Sequence, residues 1–129
     1  MNRLSVLACL LFIFTPSCKD MGASSDQISL RIFSYTAFDT LGQVKVRGII
    51  ALYNDSSKIT GNWQFDNDGS GQLEGIQSGD MISLNLNPGF VDNNLLLRGK
   101  LSGNNYNGDW QKVGYPGVMD WGTFSAIRK

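Results

Sequence analysis

No histidine occurs anywhere in the chain, which removes the commonest general base and the commonest metal ligand. Cysteine is scarce too. Of the two, Cys9 lies inside an apolar run and Cys18 stands just behind it. If that run is removed on export, one cysteine remains, no internal disulfide forms, and stability must come from packing. Net charge is zero and no basic cluster occurs, so nucleic-acid binding has no electrostatic footprint. There is no phosphate-cradling glycine loop after a strand and no Gly-x-Ser-x-Gly elbow. Asp66, Asp68, Asp80, Asp92 and Asp120 fall in turns, while Glu74 and Asp109 fall on polar strand faces. No pair of acids is therefore set up for proton-transfer chemistry. The chain reads as a non-enzyme with no cofactor.

What is present begins with an address. Residues 1–3 form a short positive region, residues 4–14 (LSVLACLLFIF) are unbroken apolar sequence, and Thr15, Pro16 and Ser17 lead into Cys18. The run is too short for a membrane-spanning helix but suits the apolar core of a signal peptide. With Lys19 and Asp20 directly behind TPSC, the segment resembles a bacterial lipoprotein signal. That resemblance implies cleavage before Cys18, lipidation of its sulfur and new amino group, and an exported protein anchored to a membrane of the cell envelope. The alternative is an ordinary secretory signal in which Cys18 is incidental. Residues 1–17 are thus expected to be the signal, 18–27 a lipidated N-terminus with a small polar tether (KDMGASSDQ follows the cysteine), and 28–129 one domain.

From residue 28 onward side chains alternate with period two. Ile28, Leu30 and Ile32 alternate with Ser29, Arg31 and Phe33, and Val44 to Leu52, Ile59 to Phe65, Ile82 to Leu86, Leu95 to Leu101 and Tyr106 to Trp110 repeat the pattern. Turn clusters DTLG, NDSS, DNDGSG, SGD, NPGFVDNN, SGNN and VGYPG separate them. Short strands spaced by turns predict an all-β antiparallel meander, a barrel or a sandwich. Gly48, Gly61, Gly75, Gly99, Gly108 and Gly122 all share the apolar phase of their strands. Bare positions on the inner face let a sheet coil sharply and let large rings lie over the neighbouring backbone. The expectation is a closed up-and-down barrel of about eight strands, which also removes aggregation-prone edges. ITGNW with GSGQLEG behind it resembles the opening hairpin of avidin-type (calycin-like) barrels. LRGKLSGNNYNGDW with WGTFSAIR resembles the closing hairpins of meander domains in exported bacterial proteins. Both resemblances imply an up-and-down barrel; neither implies biotin binding, because two strands precede ITGNW here.

Three sets of residues are candidates for function. FDNDGSGQLEG places Asp66, Asp68 and Ser70 at alternate positions with Gly71 next, like the opening of a calcium loop. Its twelfth position is the neutral Gln77 where a bidentate Glu is needed, and its flanks are not helical, so it reads as a hairpin turn. Trp63, Tyr106, Trp110 and Phe124 share the inward phase. They either line a pocket for a small apolar or ring-shaped ligand or simply fill the interior, which in an eight-stranded barrel is barely wider than its own side chains. Tyr115 lies within the long apolar VGYPGVMD connection and Trp121, outward or capping an end, directly behind it; that loop is expected either to gate the pocket or to fold over the barrel end as a lid. The same exposed tips suit a protein partner instead, as in an inhibitor or adhesion component over a solid barrel. Arg31, Arg47, Arg98 and Lys100 read as a solvated outer face.

Overall fold

The computed structural model describes residues 29–129; the signal segment, Cys18 and the tether lie outside the described residues. Eight strands follow one another: β1 (Ser29–Phe38), β2 (Val44–Asp55), β3 (Lys58–Phe65), β4 (Ser70–Ser78), β5 (Met81–Asn85), β6 (Asn94–Ser102), β7 (Asn105–Gly114) and β8 (Gly117–Arg128). Each pairs antiparallel with the next, and β8 returns to pair with β1, so the sheet closes as an up-and-down barrel. Two strands precede ITGNW, which is the body of β3. Among the described residues there is no cysteine, and the fold rests on its core.

Glycine and ring are matched across strands. Phe65 faces Gly48, Trp63 faces Gly71, Trp110 faces Gly122 and Phe124 faces Gly108. A β-carbon at Gly122 would stand 2.7 Å from Trp110 Nε1, and one at Gly71 would stand 2.9 Å from the Trp63 ring. The rings therefore occupy the space that missing side chains leave, and the bare backbone can bend beneath them. From there the interior is filled by one chain of aromatic contacts. Phe33 meets Tyr106 edge-on, Tyr106 meets Phe124, Phe124 meets Tyr35, and Tyr35 stacks on Phe65 with centroids 5.1 Å apart. Ile50, Leu52, Ile59, Leu73, Ile82 and Leu97 complete the core. Each such buried side chain contributes roughly 1.5–3 kcal/mol.

The two ends of the barrel differ. At the end where β1 begins, residues 56–57, 79–80 and 103–104 are tight hairpin turns, and Ser56, Gly79 and Gly103 take φ of 62–63° as primed turns require. At the other end residues 39–43, 66–69 and 86–93 are longer, and they leave room for a mouth.

Three readings of the sequence are corrected here. In β1 the inner face is Phe33, Tyr35 and Ala37, while Leu30 and Ile32 point outward. The strand is apolar on both faces, so alternation alone assigned it the wrong side. Arg31 shares that inner face and is half-buried rather than solvated. VGYPGVMD is mostly strand and not a long connection: β7 runs to Gly114 and β8 resumes at Gly117, with a register shift at Lys112/Val113, leaving Tyr115 and Pro116 as the turn.

Candidate functional site

The 66–69 and 86–93 connections border a cavity of about 580 Å³ at the barrel mouth, which the strand ends close on its other sides. Its floor is apolar: Tyr35 and Ala37 from β1, Val46 from β2, Phe65 from β3, Leu95 from β6 and Trp110 from β7. All are inward positions of their strands near the same end, brought to one level by the antiparallel register. The rim is polar, with Lys45, Asp66, Asp68, Asn94, Lys112 and Asp120 facing the opening. An apolar floor with a few polar groups at its edge is the form of a small-molecule site.

Lys45 and Asp120 organise the rim. The Lys45 ammonium donates to Asp120 Oδ2 at 2.8 Å and lies 5.6 Å from the centre of the Trp110 ring, so one cation bridges a carboxylate and a π-face. Its hydrogen bond holds the Asp120 carboxyl below the usual carboxylate range, and Asp120 in turn raises Lys45. Trp110 is fixed from behind, because its Nε1 donates to the Phe38 carbonyl at 2.9 Å. Asn94 is fixed as well: its Nδ2 donates to the carbonyls of Asn87 and Phe90 at 2.9 and 3.0 Å, tying the 86–93 loop to β6.

The predicted site residues separate. Of the four inward rings, Trp110 lines the mouth. Tyr106 and Phe124 lie in the packed interior, where the Tyr106 hydroxyl donates to the Ile82 carbonyl at 3.1 Å. Burial raises the Tyr35 and Tyr106 phenols far above their usual value, with Tyr35 adding a smaller push to Tyr106. Trp63 packs on Phe65 and donates from Nε1 to the Leu86 carbonyl at 2.8 Å, outside the mouth lining. Tyr115 is 90 % exposed at the β7–β8 turn, and Trp121 is exposed on the outer wall. Asp66 and Asp68 sit on the rim within a hairpin connection, while Ser70 opens β4. There Phe65 N donates to Gly69 O at 2.9 Å, Asp66 N donates to Arg47 O at 2.7 Å, and Asn67 and Gly69 take positive φ. Among the described residues no three His, Cys, Asp or Glu side chains gather closely enough to hold a metal ion.

Sequence reasoning missed Tyr35, Ala37, Val46 and Leu95 as mouth residues, and it missed the Lys45–Asp120 pair. The signal for Tyr35 and Ala37 was the run FSYTA, in which Phe33, Tyr35 and Ala37 alternate with polar residues. Nothing in the sequence marks Lys45 and Asp120, which are 75 positions apart. The chain matches no family model, no curated protein and no solved structure.

Proposed function

We propose that this small β-barrel is an exported, lipid-anchored binding module of the cell envelope that takes a small ring-bearing ligand into its mouth. The observation that carries the ligand reading is the mouth itself: about 580 Å³ over Tyr35, Phe65 and Trp110, rimmed by the Lys45–Asp120 pair. The half-buried Val46 and Leu95, over a closed floor of Tyr35, Phe65 and Trp110, suit a small apolar body resting on them, and the charged rim suits a polar substituent left at the surface. The packed interior beneath limits the ligand to the mouth, so the barrel is a shallow cup and not a deep calyx.

The experiment uses 1-anilinonaphthalene-8-sulfonate as a ring-bearing probe, titrated at neutral pH, beside mass spectrometry of small molecules that co-purify with the native protein. Val46→Trp fills the mouth from its edge, and its near-ultraviolet circular dichroism checks folding. Probe affinity should fall about tenfold or more, a loss of about 1.4 kcal/mol. Trp121→Ala, on the outer wall, should leave it unchanged. Equal affinity in the folded Val46→Trp protein would discard the mouth as the site.

The anchoring part of the proposal is supported by the apolar run closing on Cys18. Incorporation of labelled palmitate in cells is expected for the full chain and should be lost in Cys18→Ser. Unchanged incorporation refutes lipidation at this residue. One observation favours a second reading, a protein partner bound by the loop tips. Leu41, Phe90, Val91, Tyr115 and Trp121 are all exposed around the same end, Val91 almost completely. Under that reading Tyr115→Ala weakens partner capture, while Val46→Trp does not.

A further inference from the structure

We infer that the end of the barrel opposite the mouth is a docking surface for an anionic phospholipid bilayer, so that the mouth opens away from the membrane. This deepens the envelope reading above and rests on it.

The charge of the barrel is divided between its ends. Arg31, Lys58, Lys100, Arg128 and Lys129 lie where β1, β3, β6 and β8 begin or finish at the tight-turn end, with Asp55 and Asp80 against them. Asp80 is already engaged with Lys100 at 3.7 Å. Among the described residues no carboxylate pairs with Arg31 or Arg128. Arg31 donates instead to the side-chain carbonyls of Asn54 and Gln77, and its Nε is buried without a partner. The exposed Arg128 guanidinium, with Arg31 half-buried beside it, stays available to an anion. At the mouth end the balance reverses: Asp39, Asp66, Asp68, Asp92 and Asp120 face Lys45, Arg47 and Lys112.

An apolar girdle accompanies the cations. Leu30, Tyr53, Ile76, Met81 and Ile127 point outward close to the tight-turn ends of their strands and are 46, 37, 60, 38 and 55 % exposed. Cations at the tip with apolar side chains just behind them form the pattern of an interfacial surface, where charge meets headgroups and aliphatic groups reach the acyl boundary. The mouth end also exposes apolar tips, but its carboxylates repel an anionic leaflet. The chain supplies an independent pointer: it enters the barrel at Ser29, on the basic end, so a tether from Cys18 pulls that end toward the membrane.

Residues 29–129 close the barrel without any earlier residue, so residues 19–129 can be produced with no lipid. Docking is then measured separately from lipidation. Sedimentation with vesicles of phosphatidylglycerol and phosphatidylcholine should exceed that with phosphatidylcholine alone. The excess should fall about tenfold in Lys58→Glu/Arg128→Glu, and in 0.5 M sodium chloride, where screening shortens the reach of surface charge. Lys112→Glu, at the mouth end, should leave it unchanged. Orientation is read with brominated acyl chains. Trp63, Trp110 and Trp121 all lie in the mouth half of the barrel, so their emission should stay unquenched on bound vesicles, whereas a tryptophan introduced by Ile76→Trp should be quenched. Equal binding to neutral vesicles, quenching of the native tryptophans, or a dimer in solution that Ile76→Lys dissociates would each overturn the proposal. The last result would assign the girdle to a second copy of the chain.

Discussion

Gly108→Val should cost the barrel about 3 kcal/mol or more and lower its melting temperature by roughly 12–24 °C. The reason is local and steric. Gly108 on β7 stands between Gly99 of β6 and Phe124 of β8. A β-carbon there would lie 2.0 Å from the Arg98 carbonyl oxygen and 2.5 Å from the Gly99 α-carbon. Both neighbours are backbone, so no rotamer change relieves the contact; the strands must separate. Separation also lifts Phe124 from its seat, since a β-carbon at Gly99 would come within 3.0 Å of that ring. Gly89→Ala is the matched control. Its β-carbon meets nothing within 4 Å, and its effect should stay within about 0.5 kcal/mol. Urea melts of the two variants beside the parent decide the matter. Equal midpoints would mean that bare inner positions are not what lets this sheet close.

Stability should also fall steeply above about pH 10, because of Tyr35 and Tyr106. Burial raises both phenols in the folded barrel, whereas in the unfolded chain they ionise near their ordinary value. Below that value both states hold the protons and the contribution is complete. Above it the unfolded state releases protons that the folded state retains, so unfolding is increasingly favoured as pH rises. Each tyrosine contributes a slope of about 1.4 kcal/mol per pH unit in this range, or about 2.7 for the two together. The double variant Tyr35→Phe/Tyr106→Phe should start lower at neutral pH, since the Ile82 carbonyl loses its 3.1 Å hydrogen bond, a cost of about 1 kcal/mol. It should then lose less between pH 10 and pH 12. Unfolding free energies from urea titrations across that interval measure the slope. Parallel curves for parent and variant would place the alkaline sensitivity elsewhere.

These two predictions draw on different degrees of legibility. The glycine row was legible because bare residues on the apolar phase make sense only where the backbone must bend under large rings; Gly48, Gly108 and Gly122 lie opposite Phe65, Phe124 and Trp110 in the register. The assignment of Trp63, Tyr106, Trp110 and Phe124 to one inner surface was legible for the same reason, since alternation carries inside and outside along a strand. Depth along the barrel axis was not. Alternation says which face a side chain occupies and nothing about its height, so it could not separate Trp110 at the mouth from Tyr106 and Phe124 below it. The first half of β1 obscured the period, because Leu30 and Ile32 outside are as apolar as Phe33 and Tyr35 inside, although FSYTA behind them still alternates.

An all-β chain with evenly spaced turns, bare inner positions and an apolar N-terminal run was already implied by residue order, because strand period, turn chemistry and glycine sterics act between near neighbours. The mouth was decided by closure of β8 onto β1. That pairing closes β1 into the wall, brings Lys45 and Asp120 together across its end, and sets Arg128 beside β1 at the opposite pole. Contacts of this kind depend on the register of strands far apart in the chain, and register is a property of the whole sheet.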